Sequence, residues 1–148
     1  NKASGVFVRD LVNGTTAFTI AGGPIRVTDL ISYCTVADAD TKASTLQWSA
    51  DGTLGSATTF TGASGALTSF AIGGLVYCNF TAITTSPIIT QTTGVALWGP
   101  TTTTGGGVYL PTGIVTMVIG TADGTSALFK HYMRWLPLTA NSTVTAAF

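Results

Sequence analysis

The side chains best suited to chemistry gather near the end of the chain, in FKHYMRWLPL at residues 129–138. This stretch holds the only histidine, two of the six cationic residues, a methionine, a tyrosine and a tryptophan. A histidine of this kind serves as a general base when a nucleophile and an orienting acid converge on it. No such partners are marked by spacing, so no catalytic residue is assigned. As a strand, the segment puts Phe129, His131, Met133 and Trp135 on one face and Lys130, Tyr132 and Arg134 on the other. His131 then keeps apolar company and is expected to be a packed, hydrogen-bonded residue. A helix would instead align Phe129, Tyr132, Met133 and Leu136. The preceding Asp123-Gly124 turn and the following Pro137 favour the strand. Lys130 and Arg134 form an exposed cationic pair that is either solvated or set against acidic groups of a partner.

Other chemical patterns are incomplete. Asp38 and Asp40 in ADAD have the spacing of calcium ligands but lack a third carboxylate, a glycine turn and a downstream glutamate, so no metal site is expected. Gly105, Gly106 and Gly107 are followed by no lysine and open no helix, which excludes a phosphate cradle; no cofactor is expected. Cys34 and Cys78 sit in ISYCTV and LVYCNF, where two small buried hydrophobes are the simpler expectation than a disulfide, and neither shows zinc spacing. Trp48, Trp98 and Trp135 have faces that suit sugar rings, but core or subunit contacts are their ordinary use in a β domain. Sequons at Asn13, Asn79 and Asn141 keep open an extracellular glycoprotein module.

The elements that must position these residues are strands. Glutamate is absent, and short runs of threonine, valine and isoleucine are punctuated by glycine, proline, aspartate and asparagine. The expected fold is all-β: a single domain over residues 1–148, built as a β-sandwich or jelly roll of about eight to ten short strands with little or no helix. Asp51-Gly52 is expected to end the strand containing Trp48. Asp123-Gly124 is expected to join GIVTMVIGT and ALFKHYMRWLPL as a long hairpin. In IRVTDLISYCTV, strict alternation puts Ile25, Val27, Ile31 and Tyr33 on one face and Leu30, Cys34 and Val36 on the other. In IVTMVIG, Ile114 and Val118 oppose Val115, Met117 and Ile119. Two apolar faces imply central strands or strands covered by another chain. Residues 1–12 are expected to form an extended N-terminal arm. Residues 99–107, in the low-complexity GPTTTTGGGVYLPTG, read as a flexible loop or a contact arm.

Composition narrows the class. Only 8% of the 148 residues are charged, and six acids balance six bases. That is too little positive charge for a nucleic-acid binder. Apolar runs such as GIVTMVIG fall far short of the ~20 residues that cross a bilayer as a helix, so no membrane partner is expected. The start, NKASGVFVRD, does not carry the pattern of a secretory signal. With 45% hydrophobic residues, this charge density suits a surface partly covered by other subunits, as in a component of an assembly.

Three segments, GTTAFTIAGGPIRVTDLISYCTV, LPTGIVTMVIGT and HYMRWLPLTANSTVTAA, give the chain a resemblance to small virion structural proteins of tailed bacteriophages. These show a similar order of an LFTIAGGPI-V segment, an LP-G-I strand and a W-L-Y-PL-----V-AA terminus. The likeness covers about half of the chain, while residues 38–110 depart from the pattern. The resemblance implies a non-enzymatic capsid decoration (cement) protein that binds the outer surface of the virion shell. Its partners would be the major capsid protein and further copies of itself, as a homotrimer, after assembly in the cytoplasm of the bacterial host. A tail, fibre or head-fibre component is the nearest alternative, and a carbohydrate-binding jelly-roll module a second. If it is a cement protein, the termini are the expected bridging parts. The N-terminal segment would act as a strand-adding arm with Lys2, Phe7 and Arg9 at the interface, joined by Lys130, Arg134 and Phe148.

Overall fold

The computed structural model describes residues 12–37, 43–52, 57–78, 80, 107–120 and 127–147, together with the backbone of residues 2–9 and 88–90. In these residues the chain is all-β, with strands β1 (Lys2–Arg9), β2 (Thr16–Ala21), β3 (Ile25–Val36), β4 (Thr45–Gly52), β5 (Thr58–Thr59), β6 (Leu75–Cys78), β7 (Ile88–Thr90), β8 (Val108–Leu110), β9 (Gly113–Gly120), β10 (Leu128–Pro137) and β11 (Thr143–Ala146). They form two antiparallel sheets packed face to face, a β-sandwich. The first sheet runs β1-β10-β3-β6-β7, with β8 also paired to β3, and the second runs β11-β2-β9-β4-β5.

One apolar core fills the space between the sheets. The first sheet contributes Ile25, Val27, Leu30, Cys34, Val76, Phe129, Met133 and Trp135, and the second contributes Phe18, Ile20, Leu46, Trp48, Val115, Met117 and Ile119. Burying each large side chain of this kind stabilises the fold by about 1.5–3 kcal/mol.

Alternation along β3 breaks where strict periodicity puts Ile25, Val27, Ile31 and Tyr33 on one side. Arg134 of β10 pairs with Asp29 and Trp135 with Val27, which leaves Thr28 as an extra, bulged residue. The bulge inverts the phase. Ile25 and Val27 before it, and Leu30, Ser32 and Cys34 after it, all face the core, while Ile31 and Tyr33 turn outward. On β9, Val115, Met117 and Ile119 are buried, and Ile114 and Val118 lie on the partly exposed outer face.

The expected hairpin between the strands now labelled β9 and β10 is not formed. β9 pairs with β2 and β4, whereas β10 pairs with β1 and β3 in the other sheet. An Asp-Gly pair favours a reversal but does not fix the sheet in which the chain returns. Here β2 and β4 flank β9 while β1 and β3 flank β10, and the inward faces of both strands still share one core. Asp123 and Gly124 lie outside the described residues. Asp51 and Gly52 are the last two residues of β4, paired with Ile114 and Gly113 of β9, and Gly52 does not take the positive φ of a tight Asp-Gly turn; residues 53–56, between β4 and its antiparallel neighbour β5, lie outside the described residues.

Beyond its two pairs with β5, the edge of β4 is capped without a regular strand. Phe60 N–H donates to the Trp48 carbonyl, Ser64 N–H to that of Leu46 and Leu67 N–H to that of Ser44. In return the Leu46 and Trp48 N–H groups donate to the hydroxyls of Ser64 and Thr61, each at 2.9 Å. Side-chain oxygens thus replace ladder carbonyls, and that edge is closed to strand addition.

Two corners carry the chain between sheets, and they lock together. After β2, Gly22 and Gly23 take φ values of +72° and +156°, a region that glycine enters without steric cost. A Cβ on Gly22 would sit 1.9 Å from the Asn141 carbonyl oxygen, and one on Gly23 would sit 2.1 Å from Thr139 Oγ1. The opposing corner, Leu138–Ser142, hydrogen-bonds to the same place. Ser142 Oγ donates to the Pro24 carbonyl at 2.8 Å and accepts from the Thr139 N–H at 3.2 Å. The Leu138 N–H also reaches the Pro24 carbonyl, at 3.2 Å.

Gly22→Ala is therefore expected to cost at least about 3 kcal/mol, because the clash is with backbone and adds to an unfavourable φ. Ser142→Ala, which removes the hydroxyl linking the Thr139 N–H to the Pro24 carbonyl, is expected to cost about 0.5–1.5 kcal/mol. Urea unfolding followed by tryptophan fluorescence measures both. A Gly22→Ala midpoint equal to that of the native chain would contradict the lock.

Candidate functional site

The inward row of β10 assembles as its alternation predicts. Phe129, His131, Met133 and Trp135 are all buried, at 0–3% exposure, while Lys130, Tyr132 and Arg134 lie on the opposite face. Ser32 stands directly across the ladder from His131, and its hydroxyl lies 2.8 Å from Nδ1. A serine hydroxyl against an imidazole is the first half of a nucleophile–base pair. Here the pair lies inside the core. Trp48 of the facing sheet meets the imidazole edge-on at 5.3 Å between ring centres, and Phe129 stacks beside it at 6.2 Å. With Ser32 at 1% and His131 at 0% exposure, no substrate reaches either group in this conformation.

Burial pushes the His131 pKa down to about 3, since charging the imidazole would desolvate a cation among aromatic rings. The neutral ring keeps a donor and an acceptor. The arrangement is therefore a polar contact that fixes register between β3 and β10 in an otherwise apolar layer. Phe18 and Trp48, 6.4 Å apart, and Phe70 and Phe129, 5.5 Å apart, extend this aromatic column on either side of the imidazole.

Both cysteines are free, buried thiols, as the apolar sequence around them suggests. Burial raises Cys78 to about 12, so its thiol stays protonated and unreactive at neutral pH. The Cys34 thiol donates to the Val36 carbonyl at 3.1 Å. Among the described residues no group of three or more His, Cys, Asp or Glu side chains is placed to hold a metal ion. Asp38 and Asp40 lie outside those residues. Trp48 and Trp135 belong to the core, where they cannot stack a sugar, and Trp98 lies outside the described residues. Asn13 and Asn141 are exposed, with the Asn13 carbonyl oxygen accepting from the Ile119 N–H at 3.0 Å; Asn79 lies outside the described residues.

The expected interface residues are dispersed. Lys2, Phe7 and Arg9 belong to β1, whose backbone runs as the edge strand beside β10 with Phe7 opposite His131 and Arg9 opposite Phe129. The segment expected as an arm is thus paired with its own chain from residue 2 to residue 9. Lys130 lies on the outer face of β10, beside Tyr33 of β3. Arg134 approaches Asp29 at 3.9 Å, but the two side chains are 59% and 43% exposed, so the pair contributes little. Phe148 and residues 99–106 lie outside the described residues. Sequence reasoning missed Ser32 as the partner of His131. The two are 99 residues apart, and only the Thr28 bulge turns Ser32 inward.

No protein-family model, curated protein or solved structure matches the chain.

The buried histidine sets a pH dependence. The unfolded chain takes up a proton at His131 below about pH 6.5, while the folded chain refuses it until about 3. Between those values the unfolded state binds more protons, so this group makes stability fall as pH falls and adds no slope above about 6.5. The difference in unfolding free energy between the native chain and His131→Phe, measured by urea titration from pH 7.5 to 3.5, is expected to change in that direction. A pH-independent difference would place the imidazole in contact with solvent.

Proposed function

We propose that this chain is a non-enzymatic structural protein of a tailed-phage virion, one that binds the outer surface of the capsid and stabilises the shell by bridging neighbouring subunits. One observation carries the proposal. The three segments with phage-like patterns, at 14–36, 110–121 and 131–147, cover β2, β3, β9 and β11 and the last seven residues of β10, from His131 to Pro137. In the fold these strands are contiguous, as β11-β2-β9 in one sheet and β10-β3 in the other. AGGPI of the first segment also seats on PLTANS of the third at the locked corners. The segments of the resemblance therefore form one physical framework whose residues are those of turns and packing.

Two further features support a permanently assembled subunit. The best-placed nucleophile–base pair, Ser32 and His131, is enclosed in the core. The charge density is far below the quarter or so of residues that free soluble proteins carry. On this reading the work is mechanical. Each contact with the shell buries apolar and backbone area that internal pressure must expose before capsomers separate. The molecule acts as a homotrimer on the major capsid protein, and its place is the virion.

The proposal is tested on phage shells stripped of this protein. Re-addition of the purified chain is expected to saturate at a fixed ratio to the major capsid protein and to raise the temperature at which the shell ruptures. Sedimentation equilibrium is expected to give a trimer. A chain that stays monomeric and never rebinds the shell would remove the cement assignment.

A further inference from the structure

We infer that the outer face of the six-stranded sheet is a docking surface for a partner protein whose contacting surface carries carboxylates. All four tyrosines of the chain, Tyr33, Tyr77, Tyr109 and Tyr132, lie there. Register sorts them into rows across the strands. Lys130 stands beside Tyr33; Tyr132 beside Ile31, and Ile31 beside Tyr77; Arg134 beside Asp29; Leu136 beside Arg26, and Arg26 beside Tyr109. Tyr109 is 65% exposed, and the Arg26 guanidinium carbon lies 5.8 Å from its ring centre, within cation–π range.

The outer face of the other sheet has a different make-up. Its rows hold Thr19, Thr116, Thr145, Gln47 and Asp51 beside Ile114 and Val118, and its five strands contain no tyrosine, lysine or arginine. Tyrosine and arginine are instead the residues that anchor protein interfaces, because they bring large contact area with few rotors and keep a polar tip. Their concentration on one side of the sandwich marks that side.

Charge decides the occupant. Among the described residues the tyrosine face carries three cations, Arg26, Lys130 and Arg134, against one carboxylate, Asp29. A second copy docking through the same face would bring like charges together. One docking through its other sheet would offer Asp51 alone. A foreign surface with several carboxylates matches the excess, and Ile31 and the tyrosine rings accept apolar side chains between them. The inference deepens the proposed function and rests on it only for who the partner is. The docking chemistry belongs to the free protein and is tested on it.

The full chain is titrated, at low and at moderate salt, with three probes: a peptide alternating glutamate and leucine, polyglutamate, and dextran sulfate. The native chain is expected to bind the alternating peptide best, and salt is expected to weaken that binding. The combined variant Arg26→Gln, Lys130→Gln, Arg134→Gln should bind it about tenfold more weakly or worse. Lys130→Gln with Arg134→Gln alone, which spares the partly buried Arg26, should show most of that loss with unchanged near-ultraviolet circular dichroism. Tyr132→Ser should remove the preference for the alternating peptide over polyglutamate. Thr19→Asn with Thr145→Asn, on the opposite face, should change nothing. The inference is overturned if the natively folded charge variants bind as tightly as the native chain, or if no probe binds. Tighter binding of dextran sulfate would overturn it in favour of an anionic glycan, and self-association abolished by the charge variants in favour of a second copy. If stripped shells refuse the protein while the peptide results hold, the capsid assignment falls and the docking chemistry stands.

Discussion

Everything in this fold hangs on the contact between two corners. Gly22 and Gly23 bring the chain so close to Asn141 and Thr139 that a single added carbon would overlap them. Both ladders run out from this point. On one side β3 and β10 pair from Ile25 opposite Pro137, and on the other β2 and β11 pair from Ala21 opposite Thr143. A register slip of one residue in either ladder would turn every inward side chain out. The corner removes that freedom by fixing both ladders at their common origin. Ser142, whose hydroxyl ties the turn to Pro24, makes this a hydrogen-bonded joint as well as a steric fit.

From that origin the registers determine the core. Counting along β10 from Pro137 brings His131 opposite Ser32. The pair is buried with no charge, the one form in which an imidazole is tolerable there. Polar groups elsewhere in the interior follow the same economy. Thr61 and Ser64 turn their hydroxyls to the Trp48 and Leu46 N–H groups and complete a strand edge that has no regular neighbour at that point. A protein without glutamate and with few lysines has few long charged side chains to guard its edges, and along β4 hydroxyls and a closely packed coil take that place.

The legible parts of the sequence were those whose information is local. Strands of alternating residues such as β10 showed both faces, because alternation survives any arrangement of neighbours that leaves the strand regular. β3 misled for the complementary reason. Its bulge at Thr28 exists only because β10 lies beside it with one residue fewer, and nothing in IRVTDLISYCTV announces the mismatch. The β9–β10 connection failed similarly. An Asp-Gly pair favours a reversal of the chain but does not say whether the chain returns in its own sheet or crosses to the other. That choice depends on which strands take the places beside β9 and β10, here β2 and β4 in one sheet and β1 and β3 in the other. Ser32 was invisible until a partner 99 residues away supplied its meaning. The tyrosines were likewise unremarkable in the sequence, since their common face emerges only when β3, β6, β8 and β10 lie side by side.

The same sorting explains how a chain of zero formal charge can still be electrostatically directional. Strands β1, β3 and β10 carry five of the six cations, while the strands of the other sheet carry none. A neutral total keeps long-range repulsion between copies small, which suits subunits packed at high local density. A polarised sandwich nevertheless presents different chemistry to its two sides. One side offers threonine hydroxyls, and the other offers aromatic area with cations at defined positions. If the chain docks as proposed, the net charge of zero keeps copies from repelling one another, and the cations of β3 and β10 set which side meets the partner. Since β10 supplies the core row on one side and the Lys130–Tyr132–Arg134 row on the other, the register set at the corner also places the cations relative to the tyrosines of β3 and β6. Fold and docking chemistry are then consequences of one alignment, and a change that shifts the first displaces the second.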